Sequence, residues 1–167
     1  HWDRMVLTDQ IYCRKLQRDP MFQDIPYKNN LVRASDFSEA KRMKETVDMS
    51  LQEQYRNIMG RMGWLSKCRP HLAYTFSYLS KFNHKPTKEL LLIAKKVIVR
   101  EMNEDRPLQL PKATLGLTRE IIQLKVYSDA AYNCNIRTGR AGYKIYIDID
   151  EQDVLLDWKS SQITAKC

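Results

Sequence analysis

The sequence predicts an α+β fold in which a helical segment precedes a three-stranded antiparallel meander. Three observations predict it. Apolar side chains recur at helical spacing across residues 50–105, with a start signal at each of three helices. Past Asp105 the apolar period drops from about 3.6 residues to 2. The alternating runs are joined by connections too short for a crossover, which favours antiparallel pairing. The chain has 167 residues, room for about one domain or two small ones.

Residues 1–49 read as a short strand over 5–7, a helix opened by Thr8, and a mostly irregular connector over 18–49. The connector carries Pro20, Pro26 and Asn29-Asn30 among mixed charges without periodicity. The first of the three long helices is expected at Ser50, where Glu53 three residues on completes a capping box. Its apolar face is Leu51, Tyr55, Ile58, Met62 and Leu65. Gly60 and Gly63 cost helix propensity there, so both read as points of close backbone approach.

The second helix is expected from Pro70, a residue suited to a first helical position, with Leu72, Phe76 and Leu79 inward and an end before Pro86. The third opens at Thr87, with Glu89 near the positive end of the helix dipole. Leu90, Leu91, Ala94, Val97 and Ile98 form its apolar face, and Lys88, Lys95, Lys96 and Arg100 fall opposite. A boundary is expected around 104–111. Strands follow over 122–127, 143–148 and 154–160, joined by a loop holding Gly139 and by an acidic turn after Asp148.

Charge is unevenly spread. The chain carries a net +8, yet residues 54–100 alone carry +9. There Arg56, Arg61, Lys67, Arg69, Lys81, Lys85, Lys88, Lys95, Lys96 and Arg100 face a single acid, Glu89. Tyr55, Trp64, Tyr74, Phe76, Tyr78 and Phe82 are interleaved with them. Cations among aromatics suit a polyanion, because phosphates release counterions onto Lys and Arg and bases stack on rings. The alternatives are a solvated helix face above an aromatic core, or a basic helix on a membrane surface. Residues 146–157 run the other way, with Asp148, Asp150, Glu151, Asp153 and Asp157 and no base among them.

Other classes are excluded by what they would require. The longest clean apolar run, Leu90 to Ala94, is far short of the ~20 residues that cross a bilayer. The opening residues HWDRMVLTDQ contain no apolar signal core, so an intracellular chain, in cytoplasm or nucleus and not secreted, is expected. Position 1 is not Met, and the chain reads as a piece of something longer. Cys13, Cys68, Cys134 and Cys167 lie far apart, and His1, His71 and His84 sit in no ligand spacing. Free thiols in a reducing compartment are therefore expected rather than a zinc site. The acidic turn fails as a calcium loop, since Asp153 and Lys159 fall where Gly and Glu are needed. No phosphate-binding glycine loop, nucleophile elbow or HExxH occurs. Asp129, just past the first alternating run in Val-Tyr-Ser-Asp-Ala-Ala-Tyr, reads either as a metal ligand or as a turn residue.

Several strings, taken in order, resemble one family. Tyr-Arg-Asn-Ile-Met-Gly (55–60), Trp64-Leu65 and Cys-Arg-Pro (68–70) are similar to the segment after the polymerase active site in copia-type LTR retrotransposons. Leu-Ser-Lys-Phe (79–82), Pro-Thr-Lys-Glu (86–89) and Ala-Lys-Lys-Val (94–97) continue it at matching distances. Tyr-Ser-Asp-Ala (127–130) resembles the start of the ribonuclease H domain of those polyproteins, and Gly142-Tyr143 with Trp-Lys-Ser (158–160) resembles its next two strands.

The resemblance implies a division into a reverse-transcriptase remnant and connector (1–49), a helical thumb- or connection-like segment (50–105) and the first half of an RNase H-like domain (106–167). It implies Asp129 as one of several carboxylates that hold two Mg2+ ions in the parent enzyme. It implies an RNA–DNA template–primer, bound without sequence preference through Arg56, Arg61, Lys67, Arg69, Lys81, Lys88, Lys95, Lys96 and Arg100, and the rest of the Pol polyprotein as partner. The polymerase Tyr-x-Asp-Asp is absent. His71 stands where the family has Asp after Arg-Pro, and Val-Arg-Glu-Met (99–102) replaces Tyr-Leu-Lys-Gly. The stretch that would carry the next metal carboxylate lies beyond Cys167, so no polymerase or nuclease activity and no tightly bound cofactor are expected of this chain alone. A decayed relic and a domesticated protein-interaction module stand as the alternatives.

Overall fold

The computed structural model describes residues 4–7, 9–27, 48–104, 108–111, 123–133, 138–149 and 152–163. In chain order these are β1 (Arg4–Leu7), α1 (Gln10–Gln17), α2 (Pro20–Gln23), α3 (Met49–Leu65), α4 (Leu72–Leu79) with a 3-10 turn (Ser80–Phe82), α5 (Lys88–Asn103), β2 (Leu108–Pro111), β3 (Gln123–Asn133), β4 (Thr138–Ile149) and β5 (Gln152–Ile163). The mixed helix-and-sheet composition and the three-stranded antiparallel sheet agree with the fold class the sequence predicts.

The helices share one core. Tyr55, Ile58, Met62 and Leu65 of α3 meet Leu72 and Leu79 of α4, and Leu90, Ala94 and Ile98 of α5. Cys13, Leu16 and Phe22, from α1 and α2, enter the same core. Tyr55 is fully buried and keeps its one polar atom satisfied, because its hydroxyl donates to the Leu79 carbonyl at 2.8 Å. Gln52 donates to the carbonyls of Asn83 and His84, fastening α3 to the turn before α5. β1 and β2 pair antiparallel from Arg4 with Pro111 to Leu7 with Leu108.

Several expectations need correction. The cap of α3 is Asp48, whose carboxylate accepts from Ser50 and Leu51; Ser50 and Glu53 do not form the start. A carboxylate just ahead of the helix satisfies those amides and also meets the positive end of the dipole. α4 becomes regular only at Leu72, since Arg69 to His71 are held in tight turns by Leu72 N–H to the Arg69 carbonyl and Ala73 N–H to the Pro70 carbonyl. The connector contains a helical turn, α2, with Pro20 at its start and Asp19 capping Met21. The remainder of the connector, 28–47, lies outside the described residues, as do Thr8, Cys134 and Cys167.

The two glycines of α3 differ. A side chain at Gly63 would come within 2.9 Å of the Phe76 ring, so close approach explains it. Gly60 faces open space and permits nothing of the kind. The cap at Thr87 holds as expected, its hydroxyl accepting from Leu90.

The meander has the order β3-β4-β5. Gly139 lies inside β4, opposite Tyr132 and Ile163, not in a loop. An added carbon there would stand 2.7 Å from the Ala131 carbonyl oxygen. A bulge between Ile145 and Tyr146 leaves Leu156 without a partner in the register. The strands are longer than the alternating runs that announced them, because backbone pairing continues through residues of poor strand propensity such as Asp129, Ala130 and Ala131.

Candidate nucleic-acid interface

In an antiparallel sheet, directly opposed residues share a face. Three successive rows of the meander therefore project to one side: Ala131, Arg140 and Gln162; Asp129, Gly142 and Ser160; Tyr127, Lys144 and Trp158. This face stands against α4. Trp158 Nε1 donates to the Ser66 carbonyl at 3.1 Å, at the C-cap of α3, and Arg140 Nη1 donates to the Ser77 hydroxyl of α4 at 3.0 Å. The Arg140 guanidinium lies over the rings of Tyr74 and Tyr78, at 4.9 and 5.5 Å from their centroids. Between these tethers the sheet and the helix enclose an open cleft of about 1140 Å³, lined by Asp129, Lys144, Tyr127, Tyr74 and Lys81 among others.

Asp129 is a mid-strand residue. It pairs in register with Gly142 and its side chain is exposed into the cleft. The turn-residue reading is thereby overturned, because the ladder runs on past it to Asn133. Its row offers Gly142, which has no side chain, and Ser160, which has a neutral one. Asp129 is the only carboxylate among the described residues lining the cleft. Among the described residues no group of three or more His, Cys, Asp or Glu comes together. A lone carboxylate does not fit a pair of divalent ions, which need several anionic oxygens to hold and space them.

The sequence-predicted cations separate into two groups. Arg69 is 3% exposed and cannot reach a polyanion. Its Nε and Nη2 bind the two carboxylate oxygens of Asp9, and its Nη1 binds Glu101. That corrects its assignment as a contact residue: the guanidinium ties α1 to α5. Glu101, fully buried, also receives His71 Nε2 at 2.8 Å and Arg100 Nη2 at 2.6 Å. Burial pushes the Glu101 carboxyl up, but His71 and Arg100 outweigh it and hold the value down to about 2. Burial likewise raises Asp9, and its pairing with Arg69 more than reverses this, leaving it below the ordinary carboxylate range. Arg100 is further engaged with Glu104, and Arg61 with Asp19 and the Phe22 ring. Both are thus occupied inside the helical unit. Arg56, Lys67, Lys81, Lys88 and Lys96 are exposed and Lys95 is half-buried.

Sequence reasoning missed Arg140 and Lys144, which bring positive charge to the cleft from outside the basic segment. Their signal was present: they alternate with Ala141 and Tyr143 and so share a strand face with Gly142. The acidic stretch is partly neutralised within the sheet, since Lys125 Nζ lies 2.7 Å from Asp148 and 2.8 Å from Asp153.

Cys13 and Cys68 are free thiols. Burial, then the Asp9 charge, pushes the Cys13 thiol up to about 11, so it is protonated at neutral pH. No helix of the described residues is long and apolar enough to cross a membrane. Comparison with family models, with curated proteins and with solved structures finds no match.

Proposed function

We propose that the chain is a piece of a copia-type retrotransposon Pol protein that grips an RNA–DNA template–primer without reading its sequence and is catalytically incomplete by itself. The ordered strings from Tyr55 to Ser160 support the family, and the meander is compatible with the first half of an RNase H-like sheet. The observation that carries the binding is the outward display of cations by the helical unit. Lys88 and Lys96 stand two turns apart on one exposed stripe of α5, Arg56 is exposed on α3, and Lys67 follows the end of α3. Such cations hold phosphates by counterion release.

Anisotropy of a labelled RNA–DNA hybrid, titrated with the purified chain over a range of salt, tests this. The expected result is a linear fall of log affinity with log salt, with a slope shallower by about two in the Lys88→Gln/Lys96→Gln double variant. Affinity independent of salt would overturn the reading. Magnesium-dependent degradation of the hybrid by the chain, lost in Asp129→Asn, would overturn the catalytic incompleteness.

A further inference from the structure

We infer that the cleft between the meander and α4 is a seat for single-stranded polynucleotide, which in a template–primer is the unpaired template strand. This rests on the nucleic-acid reading above and assigns the cleft a job distinct from that of the helical cations.

Three observations carry it. Two large rings line the cleft while remaining open to solvent: Tyr74 on α4 and Tyr127 on β3 are each 57% exposed. Each ring is braced by neighbours. Tyr74 lies 6.2 Å from the Tyr78 ring at a 20° tilt and carries the Arg140 guanidinium on its face, and Tyr127 meets Tyr146 edge-on at 5.7 Å. Pre-fixed rings lose little freedom when a flat group stacks on them.

The cleft is also positive. Among the described residues Lys81, Lys144 and Arg140 line it against the single carboxylate of Asp129. Arg140 forms no ion pair among the described residues; its Nη1 meets only the hydroxyls of Ser77 and Ser160, and its shielded Nε and Nη2 meet no acceptor. No carboxylate of the described residues offsets its charge, which adds to the field that draws an anion in.

The floor, finally, has small residues at its middle. Gly142 lies at the centre of the Asp129 row, and Ala131 flanks it in the next. Exposed rings, small residues between them and nearby cations match a strand whose bases are unstacked and whose backbone is charged. A duplex hides its base faces against one another and gains nothing from such rings.

The test compares three labelled probes on the intact chain by anisotropy: a blunt RNA–DNA hybrid, the same hybrid with a single-stranded overhang, and oligo(dT) or oligo(U) alone. The overhang is expected to tighten binding about 5- to 100-fold, and Tyr74→Ala to remove that gain while leaving the blunt hybrid unchanged. Tyr127→Ala is a second exposed variant with the same expected result, and circular dichroism confirms that both fold. Preference for oligo(dT) or oligo(U) identifies the strand, and either supports the inference. An overhang that adds nothing, or a gain that survives both variants, overturns it while the grip on the hybrid stands. Single strands bound without the blunt hybrid support the cleft and overturn the hybrid reading, and failure of every probe to bind overturns both.

Discussion

The helices and the meander are stabilised in different ways. Apart from Val154, every buried apolar side chain among the described residues belongs to the helical unit, and the shared core contains no residue of the sheet. β3 turns Leu124 and Val126 out to solvent, with Leu124 62% exposed. The meander is held by its backbone ladder, by polar pairs within it and by a few polar tethers to the helical unit. The helical unit is held by close packing and by a buried ionic knot. The contrast teaches that one chain can carry a part whose stability is set by side chains beside a part whose stability is set by register.

The largest effect should come from the knot. Arg69→Ala leaves Asp9 and Glu101 without their shared cation, and is expected to cost about 3–5 kcal/mol in urea unfolding followed at the helical signal. A cost under about 1 kcal/mol would remove the knot from the account. Core truncation sharpens the comparison directly. Ile58→Ala, at a fully buried site, should cost ~2–5 kcal/mol, whereas Leu124→Ala on the open sheet should stay within about 0.5 kcal/mol. Equal costs would show that the sheet buries that face in solution.

Acid should separate the two parts next. The folded Glu101 carboxyl lies near 2, below its ordinary value of 4.5, so its contribution is fully present above about 4.5 and is lost as pH falls toward 2. Asp9 is shifted in the same sense. Helical stability should fall through that window, and Glu101→Gln should flatten the fall. An unchanged profile in that variant would assign the acid sensitivity elsewhere. The smallest effect distinguishes the glycines of α3. Gly60→Ala fills open space in a helix and should stabilise by about 0.5–1 kcal/mol, while Gly63→Ala must displace the Phe76 ring and should destabilise. Thermal midpoints of the two variants moving the same way would refute the distinction.

The fold was largely legible because its signals are local. Thr87 capped α5 as expected, the apolar face of α3 lay where the spacing placed it, that of α5 did so for Leu90, Ala94, Val97 and Ile98 while Leu91 is half-buried and Ile93 and Val99 are buried as well, and the meander followed from the change of period. What escaped depends on distant partners. Nothing near Arg69 in the sequence separates it from Lys67, yet Asp9, sixty residues earlier, buries one while the other stays in solvent. Glu101 was passed over because a carboxylate at the end of an apolar face reads as exposed until Arg69, His71 and Arg100 are seen to converge on it. Asp129 was found as a residue but misplaced at a strand end, since its weak strand propensity concealed a ladder set by β4. The cleft needed both parts of the chain, and the charge count, taken along one stretch, could not see the Arg140 and Lys144 that reach it from the sheet.

The β1–β2 ribbon has a topological consequence. By pairing Arg4 with Pro111 it brings the entry and exit of the helical unit to one spot. The long intervening chain makes that closure costly in entropy for an unfolded chain, and packing of the helices between the two strands lowers the cost by bringing their ends together. Once closed, the unit resembles a bead threaded through a single hole: segments can be joined on either side of it without altering the path within.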